Sequence, residues 1–195
     1  MTWARAQPCH RETPPGRGVA NSTIGMLEII FVVINLLFAV LIFYLLIAFF
    51  TGAPYVPSTN LVSQKIIELA KIKRGERVYD LGSGDGNLLF LAAQKGAIAT
   101  GIEINPFLVL FTHLRIFLSP HRPLVHVRWQ SFWKSDLSDA DAIFIYLLPW
   151  RMEKLANFLK KQCKPGTRIV SNSFIFPNWK IKREDKKLHV HVFVV

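Results

Sequence analysis

At 195 residues the chain has room for one ordinary domain with an appendage and is too short for several. A net charge of +11 excludes a predominantly acidic surface, and two cysteines, Cys9 and Cys163, exclude a disulfide framework and suit a reducing compartment. Hydrophobic residues at 51% and a mean hydropathy of +0.27 are high for a soluble domain and point to one segment that skews the average.

Residues 1–25, with Pro8, Pro14, Pro15, Gly16 and Gly18, carry no repeating apolar pattern and read as a disordered leader. Met26 offers an alternative start just ahead of the apolar segment. That segment, "IIFVVINLLFAVLIFYLLIAFF" from Ile29 to Phe50, has 22 residues, no charge and Asn35 as its one strongly polar side chain. As a helix it would reach about 33 Å, enough to cross a hydrocarbon core of about 30 Å. It is too long for the apolar stretch of a signal peptide and no clear small-x-small site follows, so a transmembrane anchor is expected over residues 26–50. From residue 51 onward there are 21 Lys and Arg against 11 Asp and Glu. Lys65, Lys71, Lys73 and Arg74 follow the span and favour the cytoplasmic side of the bilayer for the domain, against which stand the three arginines before the span if the leader is native.

Residues 51–59 form a Pro-rich connector that contains Tyr55, and Ser58 or Thr59 can cap a helix with Leu61, Val62, Ile66, Ile67 and Ala70 at helical spacing. The pattern then alternates. "RVYDLG" is expected as strand, "NLLFLAAQKG" as helix, "ATGIEI" as strand, "PFLVLFTHLRIFL" as helix and "LVHVRWQ" as strand. "DAIFIYLL" follows as strand, "WRMEKLANFLKKQCK" as helix, "RIVSNSF" as strand and "KLHVHVFVV" as a last strand. Such alternation predicts an α/β domain over residues 60–195, doubly wound and Rossmann-like, around a mostly parallel sheet. "KIKREDKK" reads as a solvated turn, without the interleaved aromatics of a nucleic-acid surface. The histidines show no metal-ligand spacing beyond "HVH", whose two rings would share one face of a strand without carboxylate partners, so no metal is expected.

In a doubly wound sheet the first strand-to-helix turn is the usual ligand loop. Here that turn is "YDLGSGDG", in which Gly82, Gly84 and Gly86 let the backbone approach a ligand closely. The spacing is G-x-G-x-G rather than the dinucleotide G-x-G-x-x-G, and no Gly-Lys-Ser/Thr phosphate loop is present. Asp80 and Asp85 would repel a pyrophosphate and tolerate a ligand with a positive charge. Glu103, at the end of the next strand, stands where an acidic residue accepts hydrogen bonds from both hydroxyls of a ribose.

"VYDLGSGDG" followed by "GIEINP" resembles motifs I and II of the class I, seven-strand S-adenosylmethionine-dependent methyltransferases. The resemblance implies S-adenosylmethionine as cofactor, held by Asp80, Gly82, Ser83, Gly84, Asp85, Gly86, Glu103 and Asn105. Many members bind the adenine amino group through an acidic residue after the third strand; this chain has Gln130 and Ser131 there, and the Gln130 amide oxygen can accept the same bond.

With "PYVPST", "YLLPWRMEKL" and "SFIFPNW" added, the chain is similar to the small protein-lysine methyltransferases that modify the c subunits of ATP synthase and the adenine nucleotide translocase, and to their bacterial relatives. That similarity implies a lysine acceptor and a membrane-associated protein partner, on the matrix side in a mitochondrion. "YLLP" stands where enzymes methylating amino groups of nucleic acids usually carry Asn-Pro-Pro-Tyr or Asp-Pro-Pro-Tyr, so no nucleic acid is expected as partner. Tyr55 and Tyr146, with Trp150, are the candidates to line the acceptor site. Two other readings stay open: a lipid or quinone methyltransferase, and a silent S-adenosylmethionine-binding scaffold.

Overall fold

The computed structural model describes residues 18–51 and 59–195, and the chain divides into two compact units, Met1–Ile47 and Ala48–Val195. Helix α1 (Gly18–Thr51) holds the apolar segment, and within it Gly25–Phe43 is long and apolar enough to cross a membrane. Asn35 satisfies its amide inside the helix, donating to the Phe31 carbonyl at 2.8 Å, which lowers the cost of a polar group among apolar ones. The helix begins at Gly18 rather than near Met26, so the end of the expected disordered leader is helical. No proline follows Pro15 in the leader, and adding turns to a nucleated helix costs little.

In the second unit Thr59 is the N-cap of α2 (Asn60–Ala70), its hydroxyl accepting from the Val62 amide at 3.4 Å. Ser63, Ile66, Ile67 and Ala70 form the buried stripe, and Lys71 ends the helix in the left-handed region with φ 50°. There follow β1 (Arg77–Leu81), α3 (Asn87–Gln94), β2 (Ile98–Glu103), α4 (Pro106–Phe117), β3 (Val125–Trp129) and β4 (Ala142–Ile145). The domain closes with α5 (Met152–Gln162), β5 (Arg168–Asn172), β6 (Arg183–Asp185) and β7 (Val190–Val194).

The seven strands lie in the order β3-β2-β1-β4-β5-β7-β6. The first five are mutually parallel, and β7 runs antiparallel to both β5 and β6. Successive side chains of a strand feed opposite layers. Val78, Phe144 and Val170 pack with α2, α3 and α4, while Tyr79, Ile143 and Ile169 pack with Leu155 and Leu159 of α5. Strand order reverses between β1 and β4, and their carboxyl ends are level, with Leu81 opposite Ile145. That is where a doubly wound sheet opens a crevice for a ligand.

Two expectations are corrected here. "KIKREDKK" is not simply a solvated turn, because it contains β6. The Lys182 amide donates to the Val192 carbonyl at 2.8 Å, and Arg183 Nε reaches the Leu69 carbonyl at 3.1 Å. A short charged strand suits an exposed sheet edge. The two histidines of "HVH" do not share a strand face, since His189 precedes β7 with φ 53°, and buried His191 has a carboxylate beside it, Glu184 at 3.3 Å.

Packing beneath the glycine turn makes one position intolerant. Gly86 has φ +79°, and a Cβ there would lie 2.8 Å from Thr112 Cγ2, whose hydroxyl in turn donates to the Gly84 carbonyl. Gly86→Ala is expected to destabilise the fold by about 2 kcal/mol through backbone strain and overpacking. Urea unfolding measures this, and a variant as stable as the parent would refute it.

Candidate cofactor and acceptor site

The turn after β1 is fastened to the end of β2. Gly82 N and Ser83 N both donate to the Ile102 carbonyl, at 2.8 and 3.3 Å, and Gly86 N closes the loop on Ser83 O at 2.9 Å. Gly82 has φ +92°, and a Cβ built there would meet nothing within 4 Å. The space above this backbone is open to a ligand.

Glu103 is 7% exposed and its carboxylate is already engaged. Oε2 accepts from Gly84 N at 2.9 Å, and Oε1 accepts from Ile104 N and Asn105 N, each at 2.8 Å. A carboxylate offers about four acceptor positions. One therefore remains, on Oε2, so Glu103 can take one ribose hydroxyl without displacing a backbone amide, where the sequence suggested two.

Asp80 sits one strand over and is buried, and no described residue donates to its carboxylate. Burial first, then the nearby negative charges of Glu103 and Asp85, push its pKa up to about 8. A cation placed beside Asp80 would draw that proton off and relieve the repulsion.

Asp85 takes another part than the one its place in the turn suggests. Its Oδ2 pairs with Arg115 of α4 at 3.0 Å, its Oδ1 accepts from Asn87 N at 3.2 Å, and its carbonyl takes a second bond from Arg115 at 2.5 Å. The guanidinium lies 4.7 Å from the centroid of the Phe90 ring. Asp85 therefore fixes the loop to α4. Ser83 points down against β2, where a Cβ on Gly101 would come within 2.5 Å of its hydroxyl. Asn105 is the N-cap of α4, accepting from Phe107 N at 3.0 Å. Gln130 donates its amide nitrogen to Ser135 Oγ at 2.8 Å, which turns its amide oxygen into the acceptor an adenine amino group requires. Ser131 opens a 3-10 turn at Phe132–Lys134.

At the same edge of the sheet Tyr146 follows β4. It is 37% exposed, so it is not a core residue, and its ring stacks on Phe174 with centroids 6.4 Å apart and planes inclined by 16°. Phe174 follows β5 and was missed in the sequence, because its partner lies across two strand ends. Trp150, 70% exposed in the 3-10 turn Pro149–Arg151, adds a third aromatic along this edge. Tyr55 lies outside the described residues.

This strand order, with a glycine turn after β1 and a carboxylate closing β2, defines a class I S-adenosylmethionine-dependent methyltransferase. The model of the ANTKMT methyltransferase domain family matches residues 80–183, from Asp80 into β6, and the chain belongs to that family. It is 33% identical over 150 residues to a protein-lysine N-methyltransferase of Saccharolobus islandicus (strain REY15A), covering 73% of this chain and 93% of that protein. It is 30% identical over 126 residues to the human lysine N-methyltransferase named for the c subunits of ATP synthase, covering 65% of this chain and 54% of that one, so it spans about half the length of that relative. Among solved structures, an RNA methyltransferase from Salinibacter ruber in complex with S-adenosyl-L-homocysteine superposes with a TM-score of 0.67 at 35% identity, covering 71% of this chain and 92% of that one.

The residues present fit S-adenosylmethionine. Open space above Gly82, a buried carboxyl at Asp80 with no donor among the described residues, one acceptor position on Glu103 and an acceptor oxygen on Gln130 match a ligand with a cationic end, a ribose and an adenine.

Proposed function

We propose that the enzyme methylates a lysine amine of a membrane protein, and that α1 anchors it in the same bilayer. The observation that carries the acceptor reading is the stacked pair Tyr146 and Phe174 at the open carboxyl edge of the sheet, alongside Trp150. A lysine brings an apolar stem that packs on aromatic faces and a nitrogen that such faces attract. The names of the Saccharolobus and human relatives support the same acceptor.

Bound S-adenosylmethionine supplies a methyl group already activated on a sulfonium, so the chain has to align the acceptor rather than generate a reagent. Asp80 would orient the cationic end of the cofactor, with its proton lost to solvent on binding. Glu103 would hold the ribose and Gln130 the adenine. The aromatic edge would lower the acceptor's pKa by desolvation, so that the amine arrives with its lone pair free.

The test is to incubate the full chain and labelled methyl donor with native membranes containing their bound RNA, then separate protein, lipid and RNA. Label on protein lysines, located by mass spectrometry, is the expected result. Label confined to the organic phase would end the lysine reading in favour of a lipid acceptor. Label confined to RNA, the acceptor class named for the Salinibacter protein, would end it too. Alkaline carbonate extraction tests the anchor separately: the chain is expected to stay with the membrane, and its release would refute the anchor.

A further inference from the structure

The outward face of α4 is of the wrong chemistry for a helix that meets water. A surface helix of a doubly wound domain turns polar residues outward, as α5 does with Glu153, Lys154, Asn157, Lys160 and Lys161. On α4 the inward stripe is Val109, Thr112 and Ile116, and the rest of the helix is as apolar as its core side. Phe107, Leu110, Phe111, Leu114, Phe117 and Leu118 are each at least half exposed, from 50 to 76%. Their spacing keeps them on one side of the helix. Trp129 extends the patch at the amino end of α4: 68% exposed, it donates its indole N–H to the carbonyl of Ile104, itself 42% exposed. A contiguous apolar surface of this kind is a place where something docks.

The surrounding charge selects the occupant. From Ile104 to Ser135 there is no Asp or Glu, while Arg122, Arg128 and Lys134 fall in this stretch together with His113, His121 and His126; Arg115, also in it, is paired with Asp85. Arg122 holds its guanidinium 5.4 Å from the centroid of Phe117, over the apolar patch. An apolar helix face fringed by cations, with an exposed tryptophan beside it, has the composition that lies in a membrane interface and attracts anionic headgroups. The chain also carries α1, and only residues 52–58 lie between that helix and Thr59, the N-cap of α2. Fully extended, seven residues reach about 25 Å, which would hold the domain at high concentration near any bilayer that α1 enters.

We infer that the outer face of α4, with Trp129, docks on the anionic surface of the bilayer and so fixes how the catalytic edge meets a membrane substrate. The choice of occupant rests on the anchor reading, and the test separates the two. In the full chain Cys9 is replaced by serine, while Cys163 is kept because it is buried with its thiol pKa pushed up to about 11. A single reactive cysteine is then placed at Leu114→Cys on α4 or, as control, at Lys160→Cys on α5, and each carries an environment-sensitive fluorophore. Both proteins are reconstituted in vesicles of phosphatidylcholine and phosphatidylglycerol that contain chain-brominated lipid. The label on α4 is expected to shift to the blue and to be quenched several-fold more than the label on α5, with the difference shrinking when phosphatidylglycerol is left out. Equal, water-like emission from both positions in protein that still resists carbonate extraction would overturn the docking and leave the anchor standing. Shielding at 114 that brominated lipid does not quench, and that grows with protein density in the vesicles, would overturn it in favour of a second copy of the chain. Protein released by carbonate would refute the anchor alone, and quenching at 114 on added vesicles would still decide the docking.

Discussion

Replacing Asp80 with asparagine is expected to stabilise the ligand-free protein at alkaline pH and, in the same range, to weaken its hold on S-adenosylmethionine. The folded carboxyl has its pKa raised from 3.8 to about 8, mainly by burial and then by Glu103 and Asp85. The unfolded chain ionises this group at its ordinary value, while the folded chain keeps it protonated. Its contribution to stability is therefore intact below pH 3.8 and is lost progressively as pH rises to about 8, the reverse of a carboxylate with a cationic partner. Asparagine has nothing to ionise, so the variant's advantage grows through this window and levels off above it, at a size on the order of 5 kcal/mol. The cofactor reverses the balance. Wild-type affinity should rise with pH up to about 8, as less proton remains to be expelled, whereas the asparagine variant should bind with a flat profile and at least about tenfold more weakly at high pH. Denaturant unfolding and calorimetric titration at about pH 5, 7 and 9 read both effects. A stability difference that does not change with pH would refute the assignment.

The central strands and their helices were legible because each has a pattern that only one structure satisfies. "RVYDLG" and "ATGIEI" are largely apolar runs short enough to be strands buried on both faces, and each stops where a turn residue or a helix with proline in its first turn follows. β6 was not legible. It has three residues, two of them acidic, and becomes a strand only through its backbone pairing with β7. Glu103 could be picked out by residue type and spacing, but not the spending of its carboxylate on Gly84, Ile104 and Asn105, which depends on how the turn folds back. Arg115 lies thirty residues from Asp85 in a helix that is otherwise mainly apolar, so no local pattern announces the ion pair. The same apolar character concealed the outer face of α4. Apolar residues all around a helix ordinarily signal burial on every side, and only the exposure of Phe107, Leu110 and Leu114 shows that one side is left open among the described residues.

Glu103→Gln, a replacement of one oxygen by an NH₂ group, is expected to damage the site more than truncations of the aromatic edge. In one orientation the new amide points its hydrogens at Ile104 N and Asn105 N, and in the other at Gly84 N. Either way buried N–H donors face a donor, at about 1–3 kcal/mol for each bond left unmade. Lower stability is thus expected from the local structure alone, and a purely structural role would stop there: at a temperature where the variant is fully folded it would bind the cofactor normally. A ribose-holding role predicts more, namely an affinity at least about a hundredfold lower in the folded variant, equivalent to about 2.7 kcal/mol. An analogue of the cofactor without its ribose hydroxyls separates the two. It should bind the parent poorly and lose little further affinity on the Glu103→Gln change, because the bond at issue is already absent. Removing the negative charge at 103 should also move the pH dependence linked to Asp80 toward lower pH, since that charge is one of the forces raising the Asp80 pKa. Unaltered affinity in a folded Glu103→Gln protein would refute the ribose role and leave Glu103 as the clamp that shapes the turn.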